Sequence, residues 1–163
     1  MDEPITYVPI GVVRSPFAAL DGMPLQTVAS AEVEATVELA ERVHGALRDL
    51  DGFSHLWLLA HLDRVDGWTP EVTPFLDDER PRGVLATRSP RHPNPIGLSL
   101  VELVAVEPGA LRIRGIDLVD GTPVLDVKPY VPLFDARDDV RTGWFGAAAE
   151  RVRTVRSDRR YGA

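Results

Sequence analysis

This sequence predicts a mainly β domain, all-β or a β-dominated barrel, and three observations predict it. Residues 31–39 alternate apolar and polar side chains, turn signals recur every ten or so residues, and strand–helix alternation and a GxGxxG motif are both missing. A chain of 163 residues is one domain's worth. It buries about 70% of its extended surface on folding, so the expectation is a single domain over 1–163 with one core.

The elements follow in chain order. Ile5 to Arg14 is apolar and β-branched and ends at Ser15-Pro16, where regular pairing stops. Ala18 to Ser30 has no period and holds Asp21-Gly22 and Pro24, so it reads as a loop. Ala31, Val33, Ala35, Val37 and Leu39 alternate with Glu32, Glu34, Thr36 and Glu38, which predicts a half-buried strand with an acidic outer face. Val43, Leu47 and Leu50 sit at helical spacing before Gly52, predicting a short helix over about 41–50. Phe53 to Leu62 is a longer apolar run, read as a strand buried on both faces. Residues 66–82, rich in Asp, Gly and Pro, predict a long surface loop. Leu98–Val106 and Leu111–Val119 flank Glu107-Pro108-Gly109-Ala110 as a hairpin. Asp120-Gly121-Thr122-Pro123 is a second turn before the strand-like Val124–Val131. The last segment, from Gly143, starts as a helix around 147–152 and becomes a polar, arginine-bearing tail.

Composition removes several classes of function. There is no cysteine, which excludes disulfides, thiolate metal sites and a cysteine nucleophile. No apolar run nears the ~18 residues of a membrane span. The N-terminus opens with two acids and no basic stretch, so neither a membrane anchor nor a signal peptide is expected and the predicted location is cytoplasmic. A net charge of −7 argues against a generic nucleic-acid coat, because phosphate binding is driven by cationic surface. Lys128 is the only lysine among 18 basic residues, and so stands out.

Three segments hold candidate chemistry. In Thr87–Gly97 three prolines stiffen a loop carrying Arg88, Arg91, His92 and Asn94, a frame suited to an anionic or adenine-like ligand. The plainer alternative is a surface turn whose arginines pair with Asp77, Asp78 or Glu79. In Asp117–Tyr130, Asp117, Asp120, Asp126, Lys128 and Tyr130 surround one turn. A carboxylate at such a strand end can bind a ribose diol or act as a base, although Asp120 can equally cap the turn and Asp126 can pair with Lys128 along one strand face. His55 shares parity with Trp57 and Leu59 and reads as a core histidine. The four histidines show no HxH or HExxH spacing, so no metal is expected, and a GxSxG elbow is absent.

Taken together, ATRSPRHPNPIGLSLVEL and GIDLVDGTPVLDVKPYVP, with FSHLW, IGVVRSPF and RTGW, resemble the TrmO-type (YaeB/TsaA-like) methyltransferase family from Ile10 to Trp144. The resemblance implies a small single-sheeted β-barrel with one or two short helices. It further implies a homodimer that binds S-adenosylmethionine and methylates N6 of threonylcarbamoyl-adenosine beside the anticodon of tRNA. Carried over by position, cofactor contacts fall on Pro24, Leu25, Gln26, Asp63, Arg64, Arg88, Leu98, Arg114, Gly115, Ile116 and Asp117. Arg88 suits the methionyl carboxylate and Asp117 the ribose hydroxyls or ammonium. Asp120 is the expected base, with His92 and Tyr130 as alternatives, and Lys128 is expected to meet the substrate's threonyl carboxylate or a phosphate.

Against the family pattern, Leu25 replaces an arginine, His92 stands where an arginine precedes Pro-Asn-Pro, and the appended domain of longer members is not expected after the barrel. Arg151, Arg153, Arg156, Arg159 and Arg160 could supply phosphate contacts or simply be a solvated terminus. A small-molecule acceptor and a non-catalytic S-adenosylmethionine-binding module are the alternative functions.

Overall fold

In the computed structural model, which describes residues 3–77 and 79–158, the chain folds around one closed antiparallel barrel. Its strands are β1 (Gly11–Arg14), β2 (Glu34–Leu39), β3 (His55–His61), β6 (Ile96–Glu107), β7 (Ala110–Arg114) and β8 (Pro123–Pro129), in the order β1-β2-β7-β6-β3-β8 and back to β1. A two-stranded ribbon of β4 (Glu71–Val72) and β5 (Arg82–Gly83) stands apart from it. Closure leaves no exposed sheet edge in the barrel.

Period-two alternation decides which residues fill it. Val13, Ala35, Val37, Leu56, Leu58, Ala60, Val101, Leu111, Ile113 and Val124 point inward and form the buried core. Each large one contributes roughly 1.5–3 kcal/mol on burial. The inward file of β6 changes character along its length: Val101 is core, whereas Ser99, two residues nearer the strand's start, is a hydroxyl only 3% exposed. The apolar interior therefore stops at Ser99, and a polar end begins there.

Several elements differ from their sequence expectation. The first strand is paired only over Gly11–Arg14; Ile5, Tyr7 and Val8 run exposed before it. Residues 41–47 and 50–52 form 3₁₀ turns rather than an α-helix, with no side-chain cap and no buried residue. Leu47 and Leu50 still pack on the core, so the spacing marked the inward face correctly. β3 is buried on one face only, since Leu56, Leu58 and Ala60 are inside while His55, Trp57 and Leu59 are half-exposed. The long loop contains the β4–β5 ribbon. The hairpin turn at Pro108-Gly109 is as expected, Gly109 taking the φ of 75° that closes it, but β7 ends at Arg114. The terminal helix is a 3₁₀ run over Gly143–Arg153.

Candidate active site

A cleft of about 1040 Å³ opens where β3 ends and β6 begins. Four stretches wall it: residues 23–28, 62–65, 86–90 with 92 and 96–99, and 117–119. A fifth wall comes from the C-terminal segment, through Trp144, Phe145, Ala149, Val152 and Ser157.

Asp117 sits at the polar end of the barrel. Gly115, at φ 85°, turns the chain out of β7, and fully buried Ile116 anchors it to the core, so the next side chain faces the cleft. The Ser99 hydroxyl donates to Asp117 Oδ1 at 2.5 Å. Loss of solvent pushes the Asp117 carboxyl up to about 6, against the opposing pull of the Ser99 hydroxyl, backbone N–H groups and the Arg88 charge. A carboxylate so placed is poised to be ionised fully by a ligand's cation or hydroxyl donors.

Arg88 comes from the proline-stiffened loop. Its Nη1 donates to Gln26 Oε1 at 2.9 Å, and Gln26 Nε2 in turn donates to Leu25 O at 2.7 Å. Arg88 thus turns to Gln26 and away from the acidic loop, where Asp77 accepts from Arg82, whose guanidinium also lies over the Trp144 ring and holds the Asp77 carboxyl below its ordinary range. Asp78 lies outside the described residues. His92 lines the cleft, with Nε2 at 3.1 Å from Thr87 O. A carbonyl only accepts, so Nε2 carries the hydrogen and, in the neutral ring, Nδ1 is the basic atom.

Of the other expected contacts, Pro24, Leu25, Gln26, Asp63, Arg64 and Leu98 line the same cleft. Leu25 packs with Leu76, Ala148, Val152 and Trp144 in an apolar cluster, which accounts for leucine at this position. Arg64 bridges Ala18 O (3.2 Å) and Asp120 O (2.6 Å), tying the loop after β1 to the second turn.

The remaining expected residues lie outside the lining. Arg114 is on the barrel's outer face, paired with Glu102 at 2.9 Å and Glu34 at 3.2 Å, its cross-strand neighbours. Gly115 and Ile116 act as the turn and anchor already described. Asp120 Oδ1 accepts the Ser15 N–H at 3.2 Å, so its carboxylate holds a loop. Lys128 pairs with Asp126 at 2.8 Å, and Tyr130 stacks edge-on against Trp57 and His55, all on the outer surface.

Sequence reasoning missed Ser99, Met23, Leu76, Phe145 and Val152. Trp144 belongs to the RTGW motif, and its indole N–H donates to Ala86 O at 2.8 Å and fixes one wall. The C-terminal segment is tied down: Gly22 N–H donates to Ser157 O (2.9 Å) and Met23 N–H to Ser157 Oγ (2.8 Å). Arg151, Arg153 and Arg156 donate to the carbonyls of Leu76, Val28 and Ala29, so this stretch is docked rather than a solvated terminus. Arg159 and Arg160 lie outside the described residues. Among the described residues no cluster of three or more metal-ligating side chains occurs, and no helix is long and apolar enough to cross a membrane.

Residues 12–136 match the family model for the tRNA-methyltransferase O N-terminal domain. A "Probable S-adenosyl-L-methionine-binding protein" of Pyrococcus abyssi is 43% identical over 157 residues, 96% of this chain and 85% of that protein. The "tRNA (adenine(37)-N6)-methyltransferase" of Escherichia coli is 41% identical over 148 residues, 85% of this chain but 63% of that enzyme. The crystal structure of TrmO from Pseudomonas aeruginosa superposes with a TM-score of 0.73 at 38% identity, covering 87% of this chain and 63% of that one. The chain thus spans under two thirds of both methyltransferases.

Proposed function

The chain belongs to the family of tRNA-methyltransferase O N-terminal domains, and from that premise we propose that it is an S-adenosylmethionine-dependent methyltransferase acting on N6 of threonylcarbamoyl-adenosine next to the anticodon of tRNA. The observation that carries this reading is that Arg88, from one long motif, and Asp117, from the other, line one cleft. A guanidinium, a partly desolvated carboxylate and broad apolar walls suit a ligand bearing a carboxylate, an ammonium, a ribose and a flat base. When bound, S-adenosylmethionine supplies a methyl group on a positively charged sulfur, activated for transfer.

The chain's own residues then bind and align. Arg88 holds the carboxylate end, and Asp117 holds ammonium or ribose hydroxyls. Leu25, Leu98 and Trp144 exclude water along the walls. Because alignment is the main requirement of an in-line displacement, a rigid cleft contributes most of the rate. The acceptor nitrogen is part of a urea-like group and a poor nucleophile, so a base helps. His92 lines the cleft, and its Nδ1 takes that proton. Asp120 is occupied with the Ser15 amide. Lys128, exposed on β8, meets a tRNA phosphate or the threonyl carboxylate, with Tyr130 beside it.

The protein acts in the cytoplasm as a homodimer; exposed Leu133 and Phe134, just after β8, support a covered face there. Light scattering of the purified chain reads the dimer directly. The deciding experiment incubates protein, methyl-labelled cofactor and tRNA with and without the threonylcarbamoyl group. Label on the modified tRNA alone is expected, and no label on it would remove the proposal. A small-molecule acceptor is the second reading, favoured by the −7 charge and by the arginines that are docked on the chain's own carbonyls.

A further inference from the structure

We propose that Ser99 is a positioning residue for ligand binding: by donating its hydroxyl to Asp117, it keeps that carboxylate ionised and aimed into the cleft at neutral pH. The inference rests on the cofactor reading of the cleft given above. It begins from an oddity of the barrel interior. Position 99 faces inward on β6, in file with core Val101 and opposite Leu58 in register, where an apolar side chain is the rule. A hydroxyl 3% exposed is tolerated there only with a partner, and its partner is the Asp117 oxygen at 2.5 Å.

The carboxylate needs that donor. Desolvation works against its charge and lifts it to about 6, near working pH, and the Ser99 hydroxyl is the foremost of the groups that pull it back down. The backbone N–H groups of Asp117 and Thr27 and the Arg88 charge assist. The other charged or titrating groups around the cleft are Asp63, Arg64, His92, Arg141 and Asp158. Without the hydroxyl, a larger share of molecules carry a protonated, mis-aimed Asp117, which neither pairs with a cation nor accepts two hydroxyls.

The test measures S-adenosylmethionine affinity by calorimetry from pH 5.5 to 8.5 for wild type, Ser99→Ala and Ser99→Thr. Losing one hydrogen bond to a charged group moves the Asp117 midpoint up by about one pH unit. Ser99→Ala should then bind about fivefold more weakly at pH 6 and equally at pH 8.5, following the ionised fraction of Asp117. The ligand's own amino group titrates alike with each protein and cancels from the ratio. Ser99→Thr keeps the hydroxyl and should restore the wild-type profile. Asp117→Asn should remove the Ser99-dependent difference, and His92→Gln should leave it in place. A loss of equal size at every pH, or no loss, would overturn the proposal.

Carboxyl-carbon NMR of Asp117 in the free protein gives the same midpoint without any ligand. Should wild type bind no S-adenosylmethionine at any pH, the cofactor reading fails, while the NMR shift still reports on Ser99. An unmoved Asp117 midpoint in Ser99→Ala overturns the Ser99 role alone.

Discussion

Asp117 sets binding against stability within one residue. Its folded-state pKa, about 6, stands above the ordinary 3.8, so between those values the folded chain holds a proton that the unfolded chain has released. Stability therefore falls as pH rises from about 4 to 6 and is level above that. Asp117→Asn keeps the shape and an acceptor for Ser99 but cannot ionise. Thermal unfolding should show the variant gaining about 2 kcal/mol over wild type at pH 7, discounted for partial exposure to the cleft, and little at pH 4. Cofactor binding should be lost. A variant that is no more stable at pH 7 than at pH 4, relative to wild type, would refute the desolvated carboxylate. The base is decided by a matched pair. His92→Gln keeps a donor for Thr87 and should lower kcat about 10²-fold, whereas Asp120→Asn keeps its Ser15 contact and should turn over at the wild-type rate. The opposite result in single-turnover assays returns the role to Asp120.

At the level of elements, the strand at 34–39 was legible because its alternation records one wet and one dry face. Residues 41–50 were less so. Val43, Leu47 and Leu50 mark the inward side, but Gly45 and the uncapped start give the segment no reason to propagate as an α-helix. β3 misled for a different reason: Trp57 sits on the outer face, covered in part by Tyr130, and apolar composition alone does not distinguish that from a core position. In the site, Arg88 and Asp117 were legible because long motifs surround them. Ser99, Phe145 and Val152 were not, since their roles exist only once distant segments meet. The C-terminal segment is the clearest such case. Ser157→Ala removes the side-chain bond to the Met23 amide, which is worth about 1 kcal/mol. Hydrogen exchange at Met23 should quicken several-fold while core amides such as Leu58 stay unchanged. Equal protection at Met23 would mean that the Ser157 hydroxyl contributes nothing to holding the segment, leaving its backbone bonds, arginines and apolar contacts to do so.

Across the whole molecule, charge shapes the encounter with tRNA. The chain carries −7 overall, and its described C-terminal arginines are engaged with backbone carbonyls. Few phosphate contacts remain to be made, so log affinity for tRNA against log salt should have a shallow slope, of magnitude about 3 or less. A slope near 8 in filter-binding titrations would point to a broad basic surface assembled by a second copy. The geometry of the cleft has one more outcome. The matched domain stops at residue 136, yet Trp144, Phe145 and Val152 stand beyond it and still enclose the ligand space. Excising the barrel at that border would retain all its strands and discard part of the vessel that they help to enclose.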